Sequence, residues 1–360
     1  MSKDYIVLAI NPGSTSTKIA IFNGKHAVFT KTISHSAEEI AQFNKIADQY
    51  HFRAELIENL LKEEEIELKS IDVIVGRGGL LRPIPSGTYK VNEKMIEELR
   101  QAKYGEHASN LGAIIASDLG KRLGIPSYIV DPVVVDEMEP LARISGMPEI
   151  PRKSIFHALN QKAVARKAAR ELGKKYEEIN LIVIHLGGGV SIGAHKEGRV
   201  VDVNNALSGD GPFSPERSGG VPANQLLDLY ISGKMKEKEL RKRLVGNGGI
   251  VAYLGTNDMR KVEDLVKEGD EKAALYHEAM AYQIAKEIGA CAAVLEGDVD
   301  AIIFTGGLAY DELFLNKLRK RVAWISKILV FPGEEEMESL ACGVLRVLWG
   351  EEPAKEYKSD

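Results

Sequence analysis

The chain has 360 residues, a formal net charge of −5 and 44% apolar residues, a length at which one hydrophobic core usually gives way to two domains. No block of lysine or arginine stands out, and no apolar run is long enough for a membrane span or a signal peptide, so neither a nucleic acid nor a membrane is expected as a partner. The only cysteines, Cys291 and Cys342, are too few for a disulfide framework or a zinc site, and we expect a cytoplasmic protein.

The first part of the chain alternates short apolar runs of β type with longer runs of helical spacing. The expected elements are strands at 5–10 and 18–22, a helical segment at 37–62, a strand at 71–76, helices near 92–103 and 108–123, and a strand at 127–131. This order indicates an α/β fold with a mixed sheet.

A second cycle of the same kind begins after the proline-marked stretch 138–153, which we interpret as a hinge region. Its expected elements are a helix at 156–174, three strands within 181–205, helices within 258–295, a strand and a helix within 300–322, a strand at 327–331 and a helix at 335–349. Two hairpins, IVLAINPGSTSTKIAIF and LIVIHLGGGVSIGAHK, share one plan, in which an apolar strand, a polar or glycine turn and a returning strand follow each other. This echo indicates a duplicated domain with a cleft between the halves.

The turn of the first hairpin, INPGSTSTK, is rich in hydroxyl groups and does not match a P-loop, because Lys18 follows Thr17 and the next residues alternate like a strand. A tight β-turn can still offer backbone N–H groups and hydroxyls to a phosphate. Ser14 and Ser16 are the candidate donors, and Lys18 would add a charge. An ordinary polar hairpin tip has a similar composition, so this segment alone leaves both interpretations open.

Two glycine-rich segments add to this pattern. Gly187, Gly188 and Gly189 form an unbroken run in the second hairpin, and such a run favours close approach of the backbone to a ligand, although it also suits a flexible turn. Gly306 and Gly307 stand between a buried strand and an expected helix, where a helix N-terminus favours a nucleotide or another anion, although packing alone can require the same glycines.

In this order, the two hairpins and the strand–Gly-Gly–helix segment resemble the superfamily of actin, sugar kinases and heat-shock ATPases, and within it the acetokinase family. The stretches that carry the resemblance are AINPGSTSTKIAIF, VGRGGLLRPIPSGTY, IVDPVVVDEMEPLARISG, IFHALNQKAVARKAA, IHLGGGVSIGAH, GPFSPERSGGVP and FTGGLA. The segments VGRGG and DPVVVDEM are more similar to butyrate kinases than to acetate kinases. The resemblance implies two duplicated actin-like, ribonuclease H-like domains around a hinged nucleotide cleft, with residues 1–151 plus 335–360 in one domain and 152–334 in the other.

The resemblance also implies an activity, the reversible phosphorylation by ATP of butyrate or another short-chain carboxylate, straight or branched. ATP or ADP and Mg²⁺ would be the cofactors, acyl phosphate the product, and a homo-oligomer of at least two chains the assembly. A carboxylate is already ionised at pH 7, so it requires no general base but does require planar cationic donors. Arg77 in VGRGG and Arg217 in SPERSGG would be these arginines, with Arg82 as a weaker competitor to Arg77.

The remaining roles that the resemblance implies belong to polar residues beside the predicted turns. Asn11 and His157 would contact the transferred phosphoryl group, and His185 the nucleotide phosphates. Asp131, at the end of the strand 127–131, would be linked to Mg²⁺, although a carboxylate before a proline can also simply form a turn. The role of His107 stays open.

The acidic segment FPGEEEMESLA offers a second magnesium-linked carboxylate. Glu336 is the best spaced candidate, Glu335 and Glu338 are close alternatives, and acidic residues also suit a helix N-terminus for electrostatic reasons alone. We expect Gly79, Phe156 and Pro212 to line an apolar acyl pocket, in which the missing side chain at Gly79 would make room for a longer or branched chain.

Three other functions share some of these sequence features. Acetate or propionate kinase shares the expected fold, and VGRGG is the feature that argues against it. A non-catalytic actin-like ATP-binding switch would not require paired arginines and histidines. An NAD-dependent enzyme would be expected to carry a G-x-G-x-x-G turn near the start of the chain, which is absent from this sequence.

Overall fold

The computed structural model describes residues 3–207 and 210–358. Its strands are β1 (Ile6–Pro12), β2 (Ser16–Asn23), β3 (His26–Ser34), β4 (Val73–Arg77), β5 (Thr88–Lys90), β6 (Ser127–Val130), β7 (Asn180–Leu186), β8 (Val190–Lys196), β9 (Arg199–Val203), β10 (Ala301–Gly306), β11 (Ile328–Pro332) and β12 (Lys355–Glu356). Its α-helices are α1 (Ala37–Ala41), α2 (Tyr50–Glu63), α3 (Glu93–Arg100), α4 (Asn110–Leu123), α5 (Ala158–Glu171), α6 (Ala223–Ile231), α7 (Glu237–Leu244), α8 (Ile250–Leu254), α9 (Met259–Lys267), α10 (Glu271–Val294), α11 (Glu312–Val322) and α12 (Glu336–Leu348). None of the helices in the described ranges is both long and apolar enough to cross a membrane.

The chain forms two compact units. The first contains the described residues up to Val135 and from Glu335 onward, and the second contains Asp136–Glu334. The return of the chain after residue 334 coincides with the sequence-based boundary, but the first change of unit comes earlier than the expected 151/152. Residues 136–151 therefore belong to the second unit.

Hydrogen bonds explain why this segment joins the second unit. The Glu139 N–H donates to the Val201 carbonyl over 2.9 Å. The Glu137 carboxylate accepts from Lys162 Nζ at 2.5 Å and from the Val200 N–H at 3.0 Å. The sequence-based boundary was too late because these partners lie far along the chain and leave no local pattern in the segment itself.

The sheet of the first unit has the strand order β12-β5-β6-β4-β1-β2-β3. The first three strands are antiparallel, and Asn11 lies opposite Lys18 across the first hairpin. The strands β4 and β6 are parallel to β1, with Ile10 paired to Gly76 and Arg77 to Val130. The carboxyl ends of β1, β4 and β6 therefore meet at one edge of the sheet, where ligands of α/β sheets usually bind.

The sheet of the second unit repeats this plan in the order β11-β10-β7-β8-β9. Again three antiparallel strands are followed by two parallel ones, so β9-β8-β7-β10-β11 corresponds to β3-β2-β1-β4-β6. The expected internal duplication is thus present in strand order and direction.

The core of the second unit covers both faces of its sheet. Ile182 and Ile184 of β7 pack in one apolar cluster with Ile284 of α10, whereas Leu181 and Val183 pack in another with residues of α5. Because both faces are covered, β7 is a continuous apolar run rather than an alternating one.

The segment 37–62 departs from the single helical stretch that its apolar spacing predicts. The structure breaks it into α1, a 3₁₀ turn at Ile46–Gln49, and α2. Gln49 and Arg53 at the start of α2 are buried, with exposed fractions of 4% and 1%. Their polar side chains therefore require partners inside the protein.

We predict that Lys162→Met lowers the free energy of unfolding by about 3–5 kcal/mol, because it removes a buried ammonium group that pairs with the Glu137 carboxylate over 2.5 Å. Chemical unfolding followed by circular dichroism measures the change. Lys174→Met is the control, since its ion pair with Asp300 is exposed to solvent and should contribute little to stability. Equal losses for both variants would contradict the prediction.

Candidate functional site

Three predicted site residues converge in the first unit. Asn11 lies near the end of β1, Arg77 is the last residue of β4, and Glu336 is the first residue of α12. The Asn11 Nδ2 group donates to Glu336 Oε2 over 2.5 Å, and Arg77 Nη1 pairs with Glu336 Oε1. Of the three candidate glutamates, Glu336 is the one that makes these contacts, whereas Glu335 and Glu338 are exposed.

The Arg77 guanidinium at this edge already holds a carboxylate. The side chains of Arg77 and Glu336 are 22% and 19% exposed, so the pair is partly shielded from solvent. An arginine in such a setting is suited to bind the oxygens of a carboxylate or a phosphate. The arrangement can therefore bind an anion that shares or replaces Glu336 on Arg77.

His107, whose role the sequence left open, lies in the electrostatic field of Arg77. Burial lowers the pKa of His107, and the positive charge of Arg77 lowers that pKa further. The ring accepts through Nδ1 from the Ser109 N–H at 3.2 Å, and the Ser109 hydroxyl lies 2.8 Å from the same nitrogen. Both effects favour the neutral imidazole form of His107, and its role at the site stays open.

Asp131 directly follows β6, as expected, but its carboxylate closes a turn. The Asp131 side chain is 2% exposed, and its Oδ1 accepts from the Ser86 hydroxyl at 2.6 Å and from the Gly87 N–H at 2.7 Å. Its backbone also has a positive φ of 38°, which non-glycine residues rarely adopt. The turn-forming alternative therefore accounts for Asp131 within the protein itself.

The expectation that Gly79 makes room for an acyl chain is wrong. A Cβ atom on Gly79 would lie 2.6 Å from the Asn110 Cα and 2.9 Å from the Asn110 N. A Cβ atom on Gly78 would likewise lie 2.5 Å from the Pro132 Cβ. These glycines allow the loop after Arg77 to pack against backbone and a rigid ring, so the space beside them is already filled.

The turn of the first hairpin presents Ser14 at an exposed tip. The Gly13 N–H donates to the Ser16 carbonyl over 2.7 Å and closes the turn. Lys18 is exposed on β2, and Ser16 is partly buried at the start of that strand. Beneath the turn lies the buried Arg53, a residue that the sequence pattern did not single out.

Two predicted histidines stack on each other in the second unit. His157, at the N-terminal end of α5, and His185, in β7, have ring centroids 3.7 Å apart and an interplanar angle of 11°. His185 Nδ1 lies 2.8 Å from Asn160 Oδ1, and its Nε2 lies 3.0 Å from Glu334 Oε1. Asn160 and Glu334 are further residues of this cluster that the sequence did not reveal.

A buried chain of hydrogen bonds supports His157 from behind. His157 Nδ1 is 2.9 Å from Ser191 Oγ, which accepts from Gln161 Nε2 at 2.8 Å. The Gln161 oxygen lies 3.0 Å from His195 Nε2, and the Tyr176 hydroxyl lies 2.7 Å from His195 Nδ1. Because the Gln161 nitrogen faces Ser191, its oxygen accepts from a proton on His195 Nε2, and in the neutral ring Nδ1 then accepts from the Tyr176 hydroxyl.

Arg217 meets the glycine turn of the second hairpin. A Cβ atom on Gly189 would collide with the Arg217 guanidinium, which donates to the Ala206 carbonyl. The turn is further held by the Ser214 hydroxyl, which donates to the Gly188 carbonyl over 2.6 Å. Burial lowers the pKa of Arg217, and Glu216 partly opposes that shift.

Three more predicted residues of the second unit lie beside the glycine turn, Arg217 or His157. The Gly187 N–H donates to the Gly189 carbonyl over 3.1 Å within the turn. Pro212 lines a small cavity together with Arg217, and Phe156, directly before His157, is 2% exposed. Phe156 is thus a chain neighbour of His157, and Pro212 lies beside Arg217, whereas the acyl pocket itself stays a prediction for both.

The segment around Gly306 and Gly307 differs from the expected strand–Gly-Gly–helix form. A 3₁₀ turn, Gly307–Tyr310, follows the glycines, and α11 begins only at Glu312. The N-terminus of α11 is capped by Asp311, whose Oδ1 accepts from the Phe314 N–H at 2.8 Å. The helix terminus therefore does not stand directly behind the glycines, and Gly306 instead exchanges backbone hydrogen bonds with Gly333 of 3.1 and 2.9 Å.

No group of three or more histidine, cysteine, aspartate or glutamate side chains suited to a metal occurs in residues 3–207 and 210–358. This result does not argue against Mg²⁺, which usually takes only one or two protein carboxylates beside substrate phosphates. Glu336 fits such a ligand because its carboxylate is partly exposed at the sheet edge.

Comparison with known proteins relates the chain to one family. The sequence pattern of the acetokinase family matches residues 149–323. Butyrate kinase 1 of Clostridium acetobutylicum is 58% identical over 354 residues, which cover 98% of this chain and 100% of that protein. A probable butyrate kinase of Listeria monocytogenes serotype 4b is 56% identical over 351 residues, which cover 98% and 99% of the two chains.

Solved structures of similar fold agree with this relation. Acetate kinase of Porphyromonas gingivalis matches 94% of this chain and 99% of its own, with a TM-score of 0.79 and 21% identity. A propionate kinase of Francisella tularensis matches 94% and 98%, with a TM-score of 0.74 and 19% identity. These likenesses confirm the predicted duplicated α/β fold.

We predict that Gly79→Ala lowers the free energy of unfolding by about 1–3 kcal/mol, because the added methyl group overlaps the Asn110 backbone. Chemical unfolding measures the loss. Gly289→Ala, inside α10 with open space around it, serves as the control and should be neutral or stabilising. If Gly79→Ala has the same free energy of unfolding as the natural protein, the position has free space and the prediction is wrong.

We predict a pH-dependent effect of His195→Gln. Burial holds the pKa of His195 well below 6.5, and the charge of Lys162 lowers it further, so the folded protein keeps this ring neutral. As the pH falls below about 6.5 the unfolded chain binds a proton that the folded chain refuses, and stability falls by up to about 1.4 kcal/mol per pH unit until the folded pKa is reached.

The variant removes this single-proton contribution, so its stability should fall less than that of the natural protein between about pH 7.5 and pH 5.5. Urea unfolding at the two pH values gives the difference. The exposed His26→Gln should retain the natural slope. Parallel slopes for the natural protein and His195→Gln would contradict the assignment of a neutral buried ring.

Proposed function

The chain belongs to the acetokinase family, and we propose that it acts as a butyrate kinase, transferring a phosphoryl group reversibly between ATP and butyrate or a similar short-chain carboxylate. The observation that carries the proposal is the convergence of Asn11, Arg77 and Glu336 at the carboxyl ends of β1 and β4. Relatives whose names state butyrate kinase activity, matched over nearly the full chain, give the proposal its substrate.

Arg77 would bind the acceptor carboxylate in the first unit. The acceptor is a ready nucleophile at pH 7, so catalysis consists of alignment and of cancelling its repulsion from ATP. A guanidinium that already pairs with the Glu336 carboxylate has the charge and shape for that task. Asn11 Nδ2 would supply an uncharged donor to the transferred phosphoryl group, and the hairpin with Ser14, Ser16 and Lys18 would face the same phosphate.

The second unit would supply the other donors. Arg217 and the stacked His157 would stabilise the charge that spreads over the phosphoryl oxygens during in-line transfer. The buried chain through Ser191 and Gln161 would hold His157 in one orientation. The neutral His195 at its far end keeps that chain free of a competing charge.

The nucleotide would be held by groups of the second unit as well. His185 and the backbone of Gly187, Gly188 and Gly189 would approach its phosphates, and the turn at Gly306 and Gly307 would lie at the adenosine. The close backbone contact between Gly306 and Gly333 supports a tight turn there rather than a helix-dipole site.

Mg²⁺ would be held from the first unit by Glu336, and when bound it would neutralise phosphate charge. Asn11 and Arg77 orient the Glu336 carboxylate for this role. Asp131 would contribute at the end of β6, where its carboxylate is already fixed by Ser86 and Gly87, so Glu336 is the better placed of the two predicted ligands.

We also propose that the protein is a homo-oligomer of at least two chains. The apolar side chains of Leu141, Ile144 and Ile150 are 81%, 71% and 58% exposed, which is unusual for a surface that faces only water. Their grouping within one short segment supports an interface there.

We predict that the protein forms acyl phosphate from Mg·ATP with butyrate or isobutyrate as the best acceptor. The measurement is hydroxamate trapping with acetate, propionate, butyrate, isobutyrate, isovalerate and valerate, with a sample lacking Mg²⁺ as the blank. Arg77→Lys should reduce the rate with every acid by about tenfold or more, because lysine cannot form the bidentate fork. Arg122→Lys, which changes an exposed ion pair, is the matched control.

Each outcome of the acid panel has a separate meaning. A maximum at acetate or propionate would keep the reaction and overturn the choice of butyrate. ATP binding without product from any acid would make the non-catalytic switch the better function. An Arg77→Lys protein with the natural rate would remove Arg77 from the proposed carboxylate site.

A further inference from the structure

Arg53 lies directly beneath the turn of the first hairpin. Its guanidinium donates through Nη1 to the Gly13 carbonyl at 2.8 Å and to the Ser16 carbonyl at 3.0 Å. Through Nη2 it donates to the Ser14 carbonyl at 3.2 Å. One side chain of α2 therefore holds three backbone carbonyls of a loop that lies about forty positions earlier in the chain.

The remaining donors of Arg53 are also satisfied inside the protein. Gln49 Oε1 accepts from Nε at 3.1 Å and from Nη2 at 2.7 Å, and Thr17 Oγ1, 3.1 Å from Nη1, shares the two Nη1 hydrogens with the Gly13 and Ser16 carbonyls. Arg53 is 1% exposed, and no carboxylate in the described parts of the chain forms an ion pair with it. Burial lowers the pKa of Arg53 to about 10, so the group stays positively charged at neutral pH.

A buried cation without a carboxylate partner requires an explanation, because charges inside proteins are normally paired. Five neutral oxygen atoms share the charge of Arg53, three of them backbone carbonyls of the hairpin turn. A role in packing alone would be served by an uncharged side chain. A positive charge behind a loop is useful where the other face of that loop receives an anion.

The geometry of the peptide bond determines what this contact does to the turn. In a planar trans peptide the C=O and the following N–H point in opposite directions. Arg53 draws the Gly13 and Ser14 carbonyls inward, so the N–H groups of Ser14 and Thr15 are directed away from Arg53. Ser14 and Thr15 are exposed, so these two consecutive N–H groups lie on the solvent side of the turn.

We propose that Arg53 is a positioning residue that builds an anion site from the backbone N–H groups of Ser14 and Thr15, with the terminal phosphate of ATP as its ligand. Two successive N–H groups that point to the same side are a recognised way to bind a phosphate oxygen. Arg53 fixes their direction, and its unpaired charge adds attraction from beneath. The choice of ATP as ligand rests on the proposed kinase function, whereas the shape of the site rests on Arg53 alone.

The test compares binding of ATP with binding of ADP, because the two nucleotides differ by the terminal phosphate. Arg53→Lys keeps the charge but loses the fork that holds the carbonyls. Gln49→Glu keeps the fork and gives Arg53 a carboxylate partner, which cancels its charge. Arg122→Lys in α4 is the control, because this exposed arginine pairs with Glu58 and Asp118 and not with the turn.

Isothermal titration with Mg·ATP and Mg·ADP gives the dissociation constants for the natural protein and the three variants. We expect Arg53→Lys to weaken ATP binding by about tenfold and to leave ADP binding within about twofold. Gln49→Glu should weaken ATP binding by a smaller factor without lowering the melting temperature. The control should bind both nucleotides as the natural protein does.

Two results would overturn the proposal. One is unchanged ATP binding in both Arg53→Lys and Gln49→Glu. The other is an equal loss of ATP and ADP affinity together with a lowered melting temperature, which would show that Arg53 only holds the fold. If Arg53→Lys does not fold, Gln49→Glu decides, since an unchanged ratio of ATP to ADP affinity in that variant contradicts the role of the charge.

Different measurements would reveal a failure of this inference and a failure of the proposed kinase function. The binding comparison requires no carboxylate and no turnover. Absence of acyl hydroxamate from the natural protein would count against the kinase, while the ratio of ATP to ADP affinity in the variants would still report on Arg53.

Discussion

The parallel pairing of β1 with β4 is the constraint on which the polar edge of the first unit depends. It places the end of the first hairpin strand beside the end of the strand that carries Arg77. The chain must then return after the whole second unit to supply Glu336 at the start of α12. A carboxylate in the first turn of a helix is favourable in itself, because the helix N-terminus is positive. Glu336 is therefore held by the helix terminus, Asn11 and Arg77 together.

The two units share the strand order of their sheets, but different polar groups pack beside the first hairpin of each unit. In the first unit the turn of the hairpin lies over a buried cation, Arg53, that holds backbone carbonyls. In the second unit, Ser191 and His195 of β8 form a chain of neutral groups with Gln161 of α5, and this chain reaches the side chain of His157. The duplicated strand order is thus combined with a charged group in one unit and with neutral groups in the other. This difference is expected if one turn presents backbone donors and the other unit presents side-chain donors to the same class of anion.

Short-range patterns in the sequence predicted the hairpins, the type of sheet and the ends of individual strands. The two hairpins, the mixed sheets and the position of Arg77 at the end of a strand follow from apolar periodicity and glycine placement. The family resemblance added His157, His185, Asn11 and Glu336 as candidate site residues, but their contacts with one another follow from the fold and not from any spacing along the chain.

Long-range partners explain what the sequence did not predict. Arg53 follows an interrupted helical segment and has the spacing of an ordinary helix arginine, so only its contacts in the fold distinguish it from a surface residue. The first change of unit depends on Glu137 and its partner Lys162, which stand on either side of the sequence-based boundary. The helix expected behind Gly307 is delayed because Asp311 caps α11 later in the chain.

The glycines around Arg77 are required for close packing of the backbone and not, as the sequence suggested, for open space. A side chain on Gly76 would collide with the Gly112 backbone of α4, and one on Gly79 would collide with Asn110. Both contacts hold the backbone on either side of Arg77 against the same helix. The VGRGG segment therefore fixes the position of an arginine, and it does not create space for an acyl chain. A preference for butyrate over acetate would therefore not come from the missing side chain at Gly79, because the position of a Cβ atom there is already occupied by Asn110.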